Sequence, residues 1–462
     1  MKYKVFLTGM FIFLLSSFWG AAQKQRPPYQ YPSEPEVLQK VKEWQDLKFG
    51  LFMHWGSYSQ MGVVESWTLC PEDRDWIIRP KDKSYCQYVK EYENLITTFN
   101  PVKFDPDKWS HAAKEAGMKY VVFTTKHHDG FNMFDTKQSD YKITGETGPF
   151  HTNPKANVAK EIFDSFRREG FLAGAYYSIT DWHNNDFWWN YFPPFDRNIN
   201  YSPEKYPKKW ERLNNFIYNQ LEELTGGDYG KLDLLWFDLC GISKERQVDW
   251  QRFATMARKH QPGIMMVARG MNNEYENYRT PEQEVPEEAL DYPWETCMTM
   301  GDQWSYKPND NYKSAYKLVQ LLVRIVSKGG NFLLNIGPGP DGDFDPVAYD
   351  RLNEIGSWMK INSEAIYGTK PVKPYQGTQM AFTKKGNSVY AVYLPDEDEK
   401  TMPAKVFVSS FQPVGSSQIY LLGYEKPLSW VKNGKGVIIN IPSTLQHKSP
   451  CKYAWTFKIQ VQ

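Results

Sequence analysis

Cysteine is scarce in this chain: five residues in 462, at positions 70, 86, 240, 297 and 451. Their odd number and spacing match no zinc or disulfide framework. Cys70 could pair with Cys86, and the others read as small buried side chains; disulfides are not expected to hold this fold together. A dominant charge is also missing. Lys+Arg 55 against Asp+Glu 54 leaves a net charge of +1 with no long run of one sign, which gives no reason to expect nucleic acid or an anionic membrane as partner. Long apolar runs are confined to the N-terminus. There Lys2 and Lys4 precede an apolar run from Val5 to Trp19, followed by Gly20, Ala21 and Ala22 before Gln23. This is the layout of a secretory signal peptide cut near Ala22, and the run is shorter than the roughly 20 residues a membrane span needs. No cysteine ends the run, which argues against a lipoprotein. The expected mature protein is exported, secreted or periplasmic, and has no membrane span.

Aromatic side chains are abundant, with 17 Trp and 30 Tyr. Such rings fill cores and stack on ligands, and their enrichment suits sugar binding. The chain is much longer than one average domain of about 100 to 150 residues, so a large domain plus a smaller one is expected. "KFGLFMHWG" (48–56), "KYVVFTTKHHDG" (119–130), "LAGAYYSI" (172–179), "LDLLWFD" (232–238), "GIMMVAR" (263–269) and "NFLLNIGP" (331–338) read as doubly buried parallel strands. Segments with apolar residues at helical spacing lie between them, and several stop at glycine. Strand then helix, repeated, predicts an α/β fold with a (β/α)8-like barrel. After Gly368 the texture changes to short alternating stretches joined by turn residues such as Asn433-Gly434. These predict a C-terminal antiparallel β-sandwich. The expected division is a signal peptide over 1–22, a catalytic β/α barrel over 23–370 and the sandwich over 371–462.

The chemistry of such a barrel gathers at the C-terminal ends of its strands. Here the strand ends deliver His54 and Trp55; then His127, His128 and Asp129; then Tyr177 with Asp181, Trp182 and His183; then Asp238; and then Arg269. Each alone has a structural explanation, Asp238 as a helix cap for instance. Five polar strand ends together point to one active site. The pair in "KHHDG" invites a metal, but adjacent His127 and His128 would face opposite sides of a continuing strand. No "GxSxG" elbow, cysteine nucleophile with its histidine or phosphate-cradling glycine loop is evident, so no metal and no cofactor are expected. Aromatic rings, His and Arg around an aspartate fit a sugar: rings stack on its apolar face, His and Arg bond its hydroxyls, and carboxylates do acid and base work.

"KFGLFMHWG", "ESW" (65–67), "KYVVFTTKHHDGF", "AYYSITDWH", "LLWFD", "YRTPEQ", "WETCMTM", "QWSY" and "SKGGNFLLNIGPGPDG" resemble, in consistent order from about 45 to 370, the α-L-fucosidases of glycoside hydrolase family 29. The resemblance implies a catalytic β/α barrel followed by a β-sandwich, and a retaining hydrolase of fucosylated glycans. It makes Asp238 the nucleophile that forms a covalent glycosyl-enzyme. It places the acid/base at Glu282, with Glu295 as the alternative and Glu287 or Glu288 in the acid-rich loop conceivable. His54, Glu65, Trp67, His127 and His128 would bond the sugar hydroxyls, and Arg269 would belong to the subsite. Phe52, Tyr177, Trp236 and Trp304 would wall the C5 methyl group. Two departures stand near the centre: Leu239 and Cys240 follow Asp238 where members often carry glycine, and Ala268 precedes Arg269 where aspartate is frequent. A changed wall could admit L-galactose, which adds only a hydroxyl on C6. A catalytically weak glycan-binding homologue and a metal-dependent hydrolase are the other readings.

Overall fold

The computed structural model describes residues 27–72, 74–189, 194–239, 247–269, 271 and 273–461. The expected signal peptide and Cys240 lie outside the described residues. Among those described, no helix is long and apolar enough to cross a membrane.

Seven strands form one parallel sheet: β1 (Phe49–Met53), β2 (Tyr120–Lys126), β3 (Leu172–Ser178), β4 (Leu234–Asp238), β5 (Met265–Ala268), β6 (Glu295–Thr299) and β7 (Asn331–Ile336). Their order is β5-β4-β3-β2-β1-β7-β6. Both faces of these strands are buried, so they read as nearly continuous apolar runs. β6 is the strand that the sequence reading lacked, because "ETCMT" alternates polar groups inside a core.

The helices are α1 (Pro35–Leu47), α2 (Tyr85–Glu93), α3 (Pro106–Glu115), α4 (Val158–Arg168), α5 (Pro207–Thr225), α6 (Trp250–His260), α7 (Ala315–Ser327) and α8 (Pro346–Asn362). Their starts are written in the sequence. Proline opens α3 and α8, where its missing N–H leaves no bond unmade. Asp105 and Asp345 cap these two helices by accepting from Asp107 N and Val347 N. α4 buries Val158, Ala159, Ile162, Phe163 and Phe166 along one face, the stripe of a helix laid on a sheet.

The gap between β5 and β6 is closed without a regular strand. Asn277 N donates to Met266 O (2.8 Å), and Asn277 Oδ1 accepts from Met266 N (2.7 Å). Further along, Arg279 O accepts from Glu295 N (2.9 Å) and Gln283 N donates to Cys297 O (3.0 Å). The backbone of 277–283 thus acts as the eighth stave, pairing Glu282 with Cys297. A (β/α)8-like barrel results.

Strand alternation sorts the side chains. Phe52, Tyr120, Tyr176, Leu234, Trp236, Val267 and Leu333 pack inside the barrel, with Val37, Val41 and Trp44 of α1. Leu51, Val121, Tyr177, Leu235, Phe237 and Leu334 join the outer cluster with the helices. Trp44 stacks on Tyr278 with ring centroids 4.1 Å apart, so α1 plugs one end. Gly50 is required by close approach: a Cβ there would lie 2.5 Å from the Tyr120 ring.

Beyond α8, β8 (Lys370–Gly377), β9 (Met380–Lys385), β10 (Ser388–Tyr393), β11 (Lys405–Val408), β12 (Ile419–Leu421), β13 (Trp430–Asn433), β14 (Gly436–Asn440) and β15 (Trp455–Gln460) form the β-sandwich. Its two antiparallel sheets are ordered β12-β15-β10-β9-β8 and β11-β14-β13. Phe382, Val406, Ile439 and Phe457 belong to the core between them. The Asn433-Gly434 turn joins β13 to β14, with Gly434 at φ +58°. Trp358 of α8 donates from Nε1 to Ala454 O (2.9 Å), fastening sandwich to barrel. The pairing of Cys70 with Cys86 is not formed: both thiols are free, Cys70 buried and Cys86 exposed.

The seam bond at Asn277 is fully buried. Asn277→Ala is expected to lose about 1–3 kcal/mol through the orphaned Met266 N–H, read as a lower melting temperature. An unchanged melt would show that the β5 edge is sealed by other means.

Candidate active site

A cavity of about 790 Å³ opens where the strands end. Its lining includes Phe52 and His54 from β1 and its end, His127 beyond β2, Tyr176 of β3, Trp236 and Asp238 of β4, and Arg269 beyond β5. Glu65, Trp67, Glu282 and Trp304 complete it from loops and the eighth stave.

Asp238 is buried and continues the inward parity of Leu234 and Trp236. Tyr176 donates to its Oδ2 (3.0 Å), and Arg269 Nη2 stands 3.2 Å from both of its oxygens. Burial alone would raise its pKa, but the Arg269 charge and these hydrogen bonds outweigh burial and hold it below the ordinary value. The carboxylate is therefore ionised. The other end of the same guanidinium, Nη1, contacts Glu282 Oε2. One cation thus touches both carboxylates.

Three histidines stand around this pair. β2 stops at Lys126, so the chain turns at His127 and His128 instead of continuing their alternation. Their ring centroids lie 4.3 Å apart, and the opposed facing expected of a continuing strand does not occur. Hydrogen-bond partners assign the tautomers of His54 and His128. Asn335 donates to Trp304 O (2.6 Å), leaving its Oδ1 to accept from His54 Nδ1 (2.7 Å). Ser178 donates to Thr180 O (2.6 Å), so its Oγ accepts from His128 Nδ1 (2.6 Å). Ser66 Oγ accepts from Asp129 N (3.1 Å) and shares a hydrogen bond with His127 Nδ1 (2.5 Å). Neutral His54 and His128 consequently present a lone pair at Nε2. His128 Nε2 lies 3.8 Å from Asp238 Oδ2. Burial pushes His54 and His128 down to about 4 and His127 well below its usual value, so all three are neutral near pH 7.

Glu65 is buried at φ 35°, a left-handed conformation that a non-glycine residue holds only when its surroundings enforce it. Here Ser305 N donates to its Oε1 (2.8 Å) and Glu65 N donates to Ser305 Oγ (3.1 Å). Burial raises its pKa to about 8, so at neutral pH it is a protonated carboxyl, able to donate as well as accept.

Four expected residues lie elsewhere than predicted. Tyr177 points outward to the helices, donating to Gln220 Oε1 (2.7 Å) beneath the Lys126 ammonium, 4.3 Å from its ring centroid. Its neighbour Tyr176 takes the inward place, because parity across the Tyr176–Trp236 pair selects it. Glu295 is sealed inside the barrel below the cavity, bonded by Tyr120 OH (2.7 Å), Trp236 Nε1 (3.2 Å) and Tyr278 OH (3.4 Å). Burial raises its pKa to about 7, and its carboxyl does not line the cavity. Glu287 and Glu288 are exposed and outside the lining. The other strand-end groups are spoken for: Asp181 pairs with buried Lys126 (2.9 Å), Asp129 accepts from Tyr92 OH (2.9 Å), and His183 pairs with Glu93 (3.0 Å). Sequence reasoning missed Tyr176, Asn335, Ser66 and Ser178. The visible signal was polarity within apolar strands, as in the asparagine of "FLLNI". Among the described residues, no group of three or more His, Cys, Asp or Glu could hold a metal ion.

An ionised carboxylate, a second carboxyl within one guanidinium's span and a pocket floored by aromatic rings make up the equipment of a glycoside hydrolase. Residues 17–364 match the family model Alpha-L-fucosidase, and 375–460 match the Alpha-L-fucosidase C-terminal domain. The plasma alpha-L-fucosidase of Rattus norvegicus is 30% identical over 438 residues, 89% of each chain. Alpha-L-fucosidase isoenzyme 1 from Paenibacillus thiaminolyticus superposes with a TM-score of 0.76 at 28% identity, covering 92% of this chain and all of that one. The α-fucosidase of Thermotoga maritima in complex with fucose superposes at 0.70, with 28% identity and 92% of this chain covered, against 100% of its own. This chain belongs to the α-L-fucosidases of glycoside hydrolase family 29.

The protonation pattern described holds between about pH 4, where His54 and His128 charge, and about pH 8, where Glu65 ionises. A histidine pKa depressed by folding means stability that is full above about 6.5 and is lost as pH falls toward 4. Asn335→Asp sets an anion against His54 Nδ1 and stabilises the imidazolium. The acid limb of kcat/KM should then move up by about one pH unit or more. A pH–rate profile with an unmoved limb would remove His54 from the groups that limit activity in acid.

Proposed function

We propose that this chain is an exported, retaining exo-α-L-fucosidase that removes terminal α-L-fucosyl residues from glycans. The single observation that carries the mechanism is the shared guanidinium: Arg269 contacts Asp238 through Nη2 and Glu282 through Nη1. Asp238 attacks the anomeric carbon as the bond to the leaving oxygen breaks, and Glu282 gives that oxygen its proton. A covalent glycosyl-aspartate results. Glu282 then takes a proton from water, which attacks the same carbon and releases Asp238, so the anomeric configuration is retained. Protonating Glu282 requires Arg269 to leave Oε2, and Asp238 remains as the partner that keeps the cation in place.

His54 and His128 accept from sugar hydroxyls, with His127, Glu65, Trp67 and Arg269 completing the polar side. Phe52, Trp236 and Trp304 wall the C5 methyl, with Tyr176 in place of Tyr177. A floor closed by these rings admits one terminal sugar, which supports the exo reading. Residues 23–370 are taken as the catalytic unit and 371–462 as the sandwich domain. The lysines, apolar run and small residues of 1–22 support export to the periplasm or the medium.

Asp238→Asn should lower kcat on an aryl α-L-fucoside by about 10³-fold or more. Glu282→Ala should lose activity and regain it with azide. The product would be an α-configured fucosyl azide, because azide enters from the face that water uses. Rescue at Glu295→Ala instead would reassign the acid/base.

Leu239 lines the cavity where relatives often carry glycine, so this departure bears on sugar choice. An apolar side chain there suits a methyl better than a hydroxymethyl group. An α-L-fucoside should be preferred over the α-L-galactoside by roughly 10- to 100-fold in kcat/KM. Equal rates would favour the galactosidase alternative.

A further inference from the structure

The cavity is sealed at its floor and open at its rim. Phe52, Tyr176 and Trp236 are buried, whereas Trp76 and Ile78, which line the same cavity, are 47% and 76% exposed. Tryptophan is highly buried on average, so a half-exposed indole at the mouth of a sugar pocket calls for a reason. Trp76 is also held in place. Its ring meets Trp67 edge-on with centroids 5.1 Å apart, and Trp67 meets His128 at 5.4 Å. The Arg197 guanidinium lies 4.9 Å from the Trp67 ring and is clamped by Glu72 through two bonds of 2.6 Å. Arg79 Nη1 donates to Cys70 O (2.6 Å), fastening the loop that carries Trp76. The cavity therefore continues outward from the first sugar as an apolar surface, fixed before any ligand arrives.

We propose that Trp76 and Ile78 form the platform of a second subsite, which takes the pyranose to which the fucosyl residue is attached. A hexose or N-acetylhexosamine ring lays its apolar C–H face on the indole. The natural substrates are thus fucosylated saccharides, and simple alkyl fucosides are poorer. This inference rests on the fucosidase reading.

The test compares kcat/KM on a fucosyl-hexose disaccharide with that on α-L-fucosyl fluoride, which has no second ring, for wild type, Trp76→Ala and Trp76→Phe. The ratio of disaccharide to fluoride should fall about tenfold in Trp76→Ala, as expected for one lost stacking contact, and should be largely kept in Trp76→Phe. Any general disturbance of Trp67 cancels in the ratio. A ratio unchanged in Trp76→Ala overturns the subsite while the fucosidase reading stands. A wild type inactive on the fluoride overturns that reading, and the subsite with it.

Discussion

A carboxylate at the inner end of β4 has to be neutralised where it stands. Taking a lone carboxylate out of water costs several kcal/mol, and a buried one without a partner takes up a proton instead. Arg269, with Tyr176, prevents that protonation at Asp238. The same cation reaches Glu282, so the position of the second carboxyl is tied to the first. Much of the remaining site can be read as support for this ion pair: rings that exclude water from below, and neutral histidines that add no competing charge.

The histidines owe their character to hydrogen-bond partners on the strands and loops behind them. Ser178 and Asn335 lie in β3 and β7, and Ser66 in the short turn that also carries Glu65. Asn335 and Ser178 donate to backbone carbonyls and so leave His54 and His128 one tautomer each, while Ser66 anchors His127. His54 and His127 line the cavity, and His128 stands behind Asp238, so the imidazoles are fixed in place around the carboxylate. A sugar ring with hydroxyls of defined orientation meets a pattern set before binding, which saves the reorganisation that solvent would require.

Much of this was legible in the sequence. Apolar runs ending in His, Asp and Arg announced both the strands and the mouth they share, and "LLWFD" led directly to Asp238. Failures came where one residue of parity or one broken strand decided the outcome. "AYYS" offers two tyrosines, and only the pairing of β3 with β4 says that Tyr176 faces inward. β6 escaped because its glutamate and threonines look unlike core. Inside the barrel, that glutamate is satisfied by two tyrosines and a tryptophan contributed by distant segments. Its burial is a tertiary fact with no local signature. The tautomers were invisible for the same reason, since each depends on partners 50 or more residues away.

The eighth stave gives the two carboxylates different freedoms. Asp238 belongs to a strand whose register is locked on both sides, and moving it by one position would turn it from the interior to the helix layer. Glu282 belongs to an irregular segment joined to the barrel by a few separated backbone bonds. Insertions, deletions and changes of path can accumulate there while the ring stays closed. The proposed nucleophile is therefore held by the architecture itself, whereas the proposed acid/base depends on a segment that only a few backbone bonds keep in place.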